Sequence, residues 1–136
     1  MLFRTVLIAA ALLFVAPVAA QAQDDVKLSP AYERCMEKPE NSTTYGILQC
    51  GDAEIAVQDA RLNKAYKADM ADLADAPDVK AALLKAQRAW IAFRDANCWA
   101  EAAPYTTGSI QPLVFSSCMA RLTRQRTKDL TQMTGY

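Results

Sequence analysis

The chain has 136 residues, with 15 basic and 15 acidic side chains, four cysteines and no histidine. That length fits one domain, and the even charge offers no basic stripe for nucleic acid. Without histidine or a Cys-x2-Cys pair, the common zinc arrangements are excluded, and no metal or other cofactor is expected.

Residues 1–22 read as a secretory signal, with Arg4 in a short n-region, an apolar run from Val6 to Val15, and Ala20-Gln21-Ala22 as the cleavage match. The run is short for a bilayer span of about 20 residues. No cysteine follows it to carry a lipid anchor. The expected product is therefore soluble rather than membrane-anchored, begins near Gln23, and is exported to the periplasm or secreted. Loss of Arg4 leaves 14 basic against 15 acidic side chains, a formal charge of −1. Cys35, Cys50, Cys98 and Cys118 all lie in the exported part, 23–136, and an even number there predicts two disulfides.

The exported part opens on a polar leader. Ser29-Pro30 then reads as an N-cap with proline at the first helical position, so a short helix is predicted from Pro30 to about Lys38. After the interruption at 39–42, Ser42 or Thr43 caps a long helix to about Ala74, with Ile55, Leu62, Tyr66, Met70 and Leu73 on one face. Gly51 is a weak point in it. The stretch Asp75-Ala76-Pro77-Asp78 is a tight turn, with Asp75 as the cap of a third helix running from Pro77 to about Ala102. That helix is apolar around much of its circumference, which predicts a central position. Residues 103–112 read as a loop. A last helix is predicted from 109–112 to about Met133, burying Phe115, Met119, Leu122, Leu130 and Met133. The fold class is all-α: a small, disulfide-linked antiparallel bundle of three long helices plus a short N-terminal one.

The short turn predicts that the second and third helices lie antiparallel, with facing residue numbers adding to about 153. Asp59 then meets Arg94, Asn63 meets Trp90, and Tyr66 meets Gln87, each a complementary hydrogen-bonding pair. Arg126, on the inner stripe of the last helix, is expected to join the same carboxylate. This cluster reads as a structural network that sets helix register. A carboxylate clamped by arginine is a poor general base, and no nucleophile with a neighbouring base can be assembled, so no catalytic residue is expected.

Four cysteines allow three pairings. Cys35–Cys50 with Cys98–Cys118 is preferred, because each pair flanks one interruption between helices. Cys50–Cys98 with Cys35–Cys118 is disfavoured, since the antiparallel register sets Cys50 beside residue 103.

Three stretches carry a family resemblance: Asp59-x-x-Leu62-Asn63-x-x-Tyr66, the run from Gln87 to Cys98 (QRAWIAFRDANC), and Cys118-x4-Thr123-x-x-Arg126-x3-Leu130. Together they resemble the LprI-type lysozyme inhibitor domain, formerly a domain of unknown function, over roughly Cys35 to Leu130. The resemblance implies a small, exported, disulfide-linked helical domain whose named member inhibits lysozyme, and one expectation for this chain is an inhibitor that binds and occludes a c-type lysozyme without catalysis. The alternative is a non-catalytic binding or scaffold module for a different cell-envelope partner. Two regions are candidates for contact. Tyr105 and Ser109 in the 103–112 loop offer an aromatic ring and a hydroxyl to a carbohydrate cleft. Asp69, Asp72, Asp75 and Asp78 form an acidic series that could meet a basic lysozyme surface.

Overall fold

The computed structural model describes residues 28–106 and 108–133; the signal segment 1–22 lies outside them. The helices are α1 (Pro30–Met36), α2 (Thr44–Asp72), α3 (Pro77–Ala102) and α4 (Ile110–Met133), with a short 3-10 helix at Pro39–Ser42. The described residues form an all-α bundle.

Local chemistry accounts for most of these boundaries. Ser29 caps α1, its Oγ accepting from the Tyr32 N–H at 3.1 Å, and Pro30 supplies a preset φ at the first position. Thr43 caps α2 in the same way, accepting from the Gly46 N–H at 3.1 Å. Asp75 does not cap α3: the cap position is Ala76, which has no side-chain oxygen to offer, so Pro77 and the acidic Asp78 start that helix instead. Helix α2 runs through Gly51 without a break. The glycine brings the two helices close, since a Cβ at position 51 would meet the Ser116 Oγ of α4.

That close approach places α4, not α3, at the centre. Helix α4 packs along both α2 and α3, while α2 and α3 pack mainly on it rather than on each other. Small side chains on its inner face, Ser116, Ala120 and Thr123, permit the contact. The apolar circumference of α3 therefore has a different meaning from the one expected: Val79, Leu84, Ile91, Phe93 and Trp99 are exposed. The core gathers Leu62 and Ala65 from α2, Leu83 from α3 and Leu130 from α4, with Tyr66, Met70, Leu73 and Trp90 packed around them. Burying each leucine stabilises the fold by roughly 1.5–3 kcal/mol. Met133, the last residue of α4, lies outside this core and is exposed.

Both disulfides follow the preferred pairing, Cys35–Cys50 with Cα atoms 5.8 Å apart and Cys98–Cys118 at 5.4 Å. The first holds α1 against α2, and a buried carboxyl group reinforces it. Glu54 of α2 accepts from the Ser29 N–H at 3.0 Å and from the Ser29 hydroxyl, so the start of α1 is tied to the middle of α2.

Candidate partner-binding surface

The structure sorts the polar network expected in the interior by which helix reaches each residue. Arg94 donates through Nη1 to Asp59 Oδ1 at 3.1 Å and to Thr123 Oγ1 at 3.1 Å, and through Nε to Asp95 Oδ1 at 3.0 Å. Its guanidinium carbon lies 5.3 Å from the centroid of the Trp90 ring. Arg126 does not join Asp59. It donates through Nε to Gln87 Oε1 at 3.0 Å, which takes the acceptor expected for Tyr66. The Tyr66 hydroxyl is buried without a hydrogen-bond partner among the described residues. Asn63 is exposed rather than buried in the network. The physical reason is the same in all three cases: α4 occupies the space where α2 and α3 would otherwise pair directly.

Asp69 is also displaced from its expected role. It is 3% exposed, facing inward rather than completing an acidic surface series. Burial pushes its carboxyl pKa up, Asp72 adds to the rise, and Arg126 opposes it. The solvent-facing acidic residues at this end are Asp72, Asp75 and Asp78.

The other end of α3 presents a different surface. Cys98 turns inward to its disulfide with Cys118, so the next residue, Trp99, is rotated by about 100° to the outside. Trp99 stacks on Phe115 with ring centroids 4.7 Å apart, yet it remains 59% exposed. Tyr105 and Ile110 are exposed beside it in sequence, as is Ser109. Gly108 turns the connecting segment with φ of +98°, a conformation that a β-carbon disfavours. Arg121 of α4 holds Glu101 of α3 through two hydrogen bonds, 2.8 and 3.0 Å, and Asn97 donates to the same carboxylate at 2.8 Å. The bond from Arg121 lowers the Glu101 pKa.

The loop end of α3 and α4, clamped by a disulfide and an Arg–Glu pair, thus carries two exposed aromatic rings, Trp99 on the helix and Tyr105 on the loop, a common composition for a protein-contact surface. The sequence offers Tyr105 and Ser109 as contact candidates, and the structure adds exposed Trp99 and Ile110 beside them. The position of Trp99 immediately after a crosslinked cysteine was the available clue. The acidic end lies far away, since the 26 residues of α3 extend about 39 Å.

Comparison with known proteins supplies the identity of the scaffold. The family model described as lysozyme inhibitor LprI matches residues 35–130. The chain belongs to the LprI family. An uncharacterised protein of Rhizobium meliloti (strain 1021) is 37% identical to this LprI-family chain over 95 residues, covering 62% of this chain and 68% of the relative. No solved structure matches it. The matched span runs from the first cysteine to Leu130, so it takes in both disulfides and the Arg94 hub.

Proposed function

We propose that this LprI-family chain is an exported, non-catalytic inhibitor that binds a c-type lysozyme and occludes its cleft with the loop end of α3 and α4. The reading has residues 1–22 as a removable signal and 23–136 as the exported domain. The observation that carries it is the family match across residues 35–130. The exposed Trp99 and Tyr105 support the location, because aromatic rings fit clefts that bind sugar, and the Cys98–Cys118 clamp reduces the ordering cost of binding. No described helix is long and apolar enough to cross a membrane.

The test is a lysozyme activity assay with oxidised protein from Gln23 to Tyr136. Dose-dependent inhibition is expected, weakened at least about tenfold by Tyr105→Ala or Trp99→Ala. If Asp72, Asp75 and Asp78 steer association, inhibition also weakens as salt is raised. A second reading, a non-catalytic module for another envelope partner, is favoured by one observation: much of the resemblance sits on interior residues, including Leu62, Gln87, Cys98, Thr123 and Leu130. Such residues specify the scaffold rather than the contact surface. Absence of any effect on lysozymes of several classes would leave that second reading standing.

A further inference from the structure

The two disulfides are guarded unequally. Cys50, Cys98 and Cys118 are 0%, 0% and 2% exposed, whereas Cys35 is only partly buried. A disulfide opens when a thiolate reaches one of its sulfurs, so access decides which bridge reacts and at which atom. For Cys98–Cys118, access requires two long packed helices to part, along with the Trp99–Phe115 contact and the Arg121–Glu101 pair that bridge them. For Cys35–Cys50 far less has to move. Helix α1 has seven residues, none of them buried, and it packs on α2 and on the 3-10 helix. Among the described residues, the polar contacts that tie it down are those of Ser29 with Glu54 and the 2.8 Å bond from Asn41 Nδ2 to the Cys35 carbonyl. A short helix with so few ties is the part of the fold that opens at least cost.

The surroundings of Cys35 suit exchange with a thiol. A recess of about 50 Å³, bordered by Cys35, Cys50, Ala53 and Val57, gives the two sulfurs room to part. Asn41 Nδ2 lies 3.4 Å from the Cys35 Sγ, so a donor is already in place when that sulfur becomes a thiolate. We propose that Cys35 is a site of thiol–disulfide exchange with an external dithiol, and that the Cys35–Cys50 bridge is a reducible latch on α1. One thiolate of the dithiol attacks the Cys35 Sγ; the new sulfur–sulfur bond forms there, the bridge breaks, and Cys50 leaves as a thiolate that takes up a proton. The second thiolate of the reagent then displaces Cys35, which takes up the other proton. The reagent departs as a disulfide, oxidised by the two electrons that the protein has gained. Tyr32 of α1 lines a cleft of about 240 Å³ together with Ile47 of α2 and Leu113 of α4. Reduction frees that wall, so the cleft widens while the three long helices and Cys98–Cys118 stay in place.

The test needs no lysozyme. Oxidised protein from Gln23 to Tyr136 is exposed to dithiothreitol in native buffer, sampled over time, alkylated and mapped by peptide mass spectrometry. Cys35 and Cys50 should be labelled together, at least about tenfold faster than Cys98 and Cys118. In concentrated denaturant the difference should vanish, because the fold and not the local sequence creates it. With glutathione, which has a single thiol and stops at the first step, the mixed disulfide trapped by alkylation should sit on Cys35. Amide exchange of 31–37 should rise in the selectively reduced protein, with that of 79–102 unchanged. Equal reduction rates for the two bridges, earlier opening of Cys98–Cys118, or a rate difference that persists in denaturant would overturn the proposal. So would a mixed disulfide on Cys50, or an α1 whose exchange does not change on reduction.

Discussion

Arg94 of α3 and Asp59 of α2 meet at 3.1 Å across two helices that pack mainly on a third. The contact is made by the length of the arginine side chain, and the same Nη1 also reaches Thr123 on that third helix. One guanidinium therefore joins all three long helices, and the two partners are not equally important to it. The Arg94 side chain is 11% exposed, whereas that of Asp59 is 42% exposed and shares its charge with solvent.

The first prediction follows from that asymmetry. Arg94→Ala should destabilise the protein by roughly 2–4 kcal/mol, since it empties space beside Trp90 and strips partners from Asp59 and Thr123. Asp59→Asn should cost about 1 kcal/mol or less, because the amide oxygen still accepts and the exposed charge is screened. Urea denaturation of the two variants, with equal m-values, checks the order.

The two glycines of α2 offer a second. A Cβ at Gly46 would strike the backbone of Asn41, which is itself held by the bond from its Nδ2 to the Cys35 carbonyl at 2.8 Å. Gly46→Ala should therefore cost about 1–3 kcal/mol. At Gly51 the obstacle is the end of a side chain, Ser116 Oγ, which can rotate away. Gly51→Ala also gains up to about 1 kcal/mol of helix propensity, so its net effect should be much the smaller. Thermal melts of the two alanine variants distinguish the cases.

Asp69 sets a pH dependence with a definite sign. Its folded-state pKa is raised by burial, so in the acid range the native chain holds this proton after the unfolded chain has lost it. Stability from this group is present at the acid end and falls as pH rises from the ordinary aspartate pKa through the raised folded value, then levels off. The unfolding free energy of the parent minus that of Asp69→Asn should trace this fall in a denaturation series across acid pH. Carboxyl-detected NMR should place the Asp69 midpoint above the usual aspartate value and that of Glu101 below the usual glutamate value.

Each disulfide closes a short loop, with sequence separations of 15 and 20 residues. By chain entropy each contributes about 3 kcal/mol. Cys98→Ser/Cys118→Ser should lose that stability and also release the loop that bears Tyr105, whereas Cys35→Ser/Cys50→Ser should loosen α1 and leave Tyr105 in place. Amide exchange of 103–109 reports the difference.

Much of this architecture was legible in the residues. Ser29-Pro30, Thr43 and Pro77 announce helix starts through local chemistry, whereas of the three pairs that the antiparallel register predicts only Asp59–Arg94 forms. What stayed hidden depends on distant partners. Glu54, Gln58 and Asp69 are buried although periodicity sends charged and amide side chains outward, and Glu54 accepts from Gln58 one turn on and from Ser29, 25 residues away. The central place of α4 was obscured because its inner face is small and polar, with Ser116 and Thr123 where larger apolar groups were expected. Conversely, the apolar arc of α3 reads as core by composition and lies outside.

The placement of the two cystine bridges divides the polypeptide in an unusual way. Cys35–Cys50 lies wholly before the 73–76 turn and Cys98–Cys118 wholly after it, so no covalent link other than the backbone crosses that turn. A protease nick there would yield two internally stapled fragments, each a helical hairpin or pair, held together without a covalent bond, mainly by packing of α2 on α4 and by the Asp59–Arg94 pair. Such fragments, made separately and mixed, are a natural starting point for a split version of the protein, in which reassembly rather than folding becomes the controllable event.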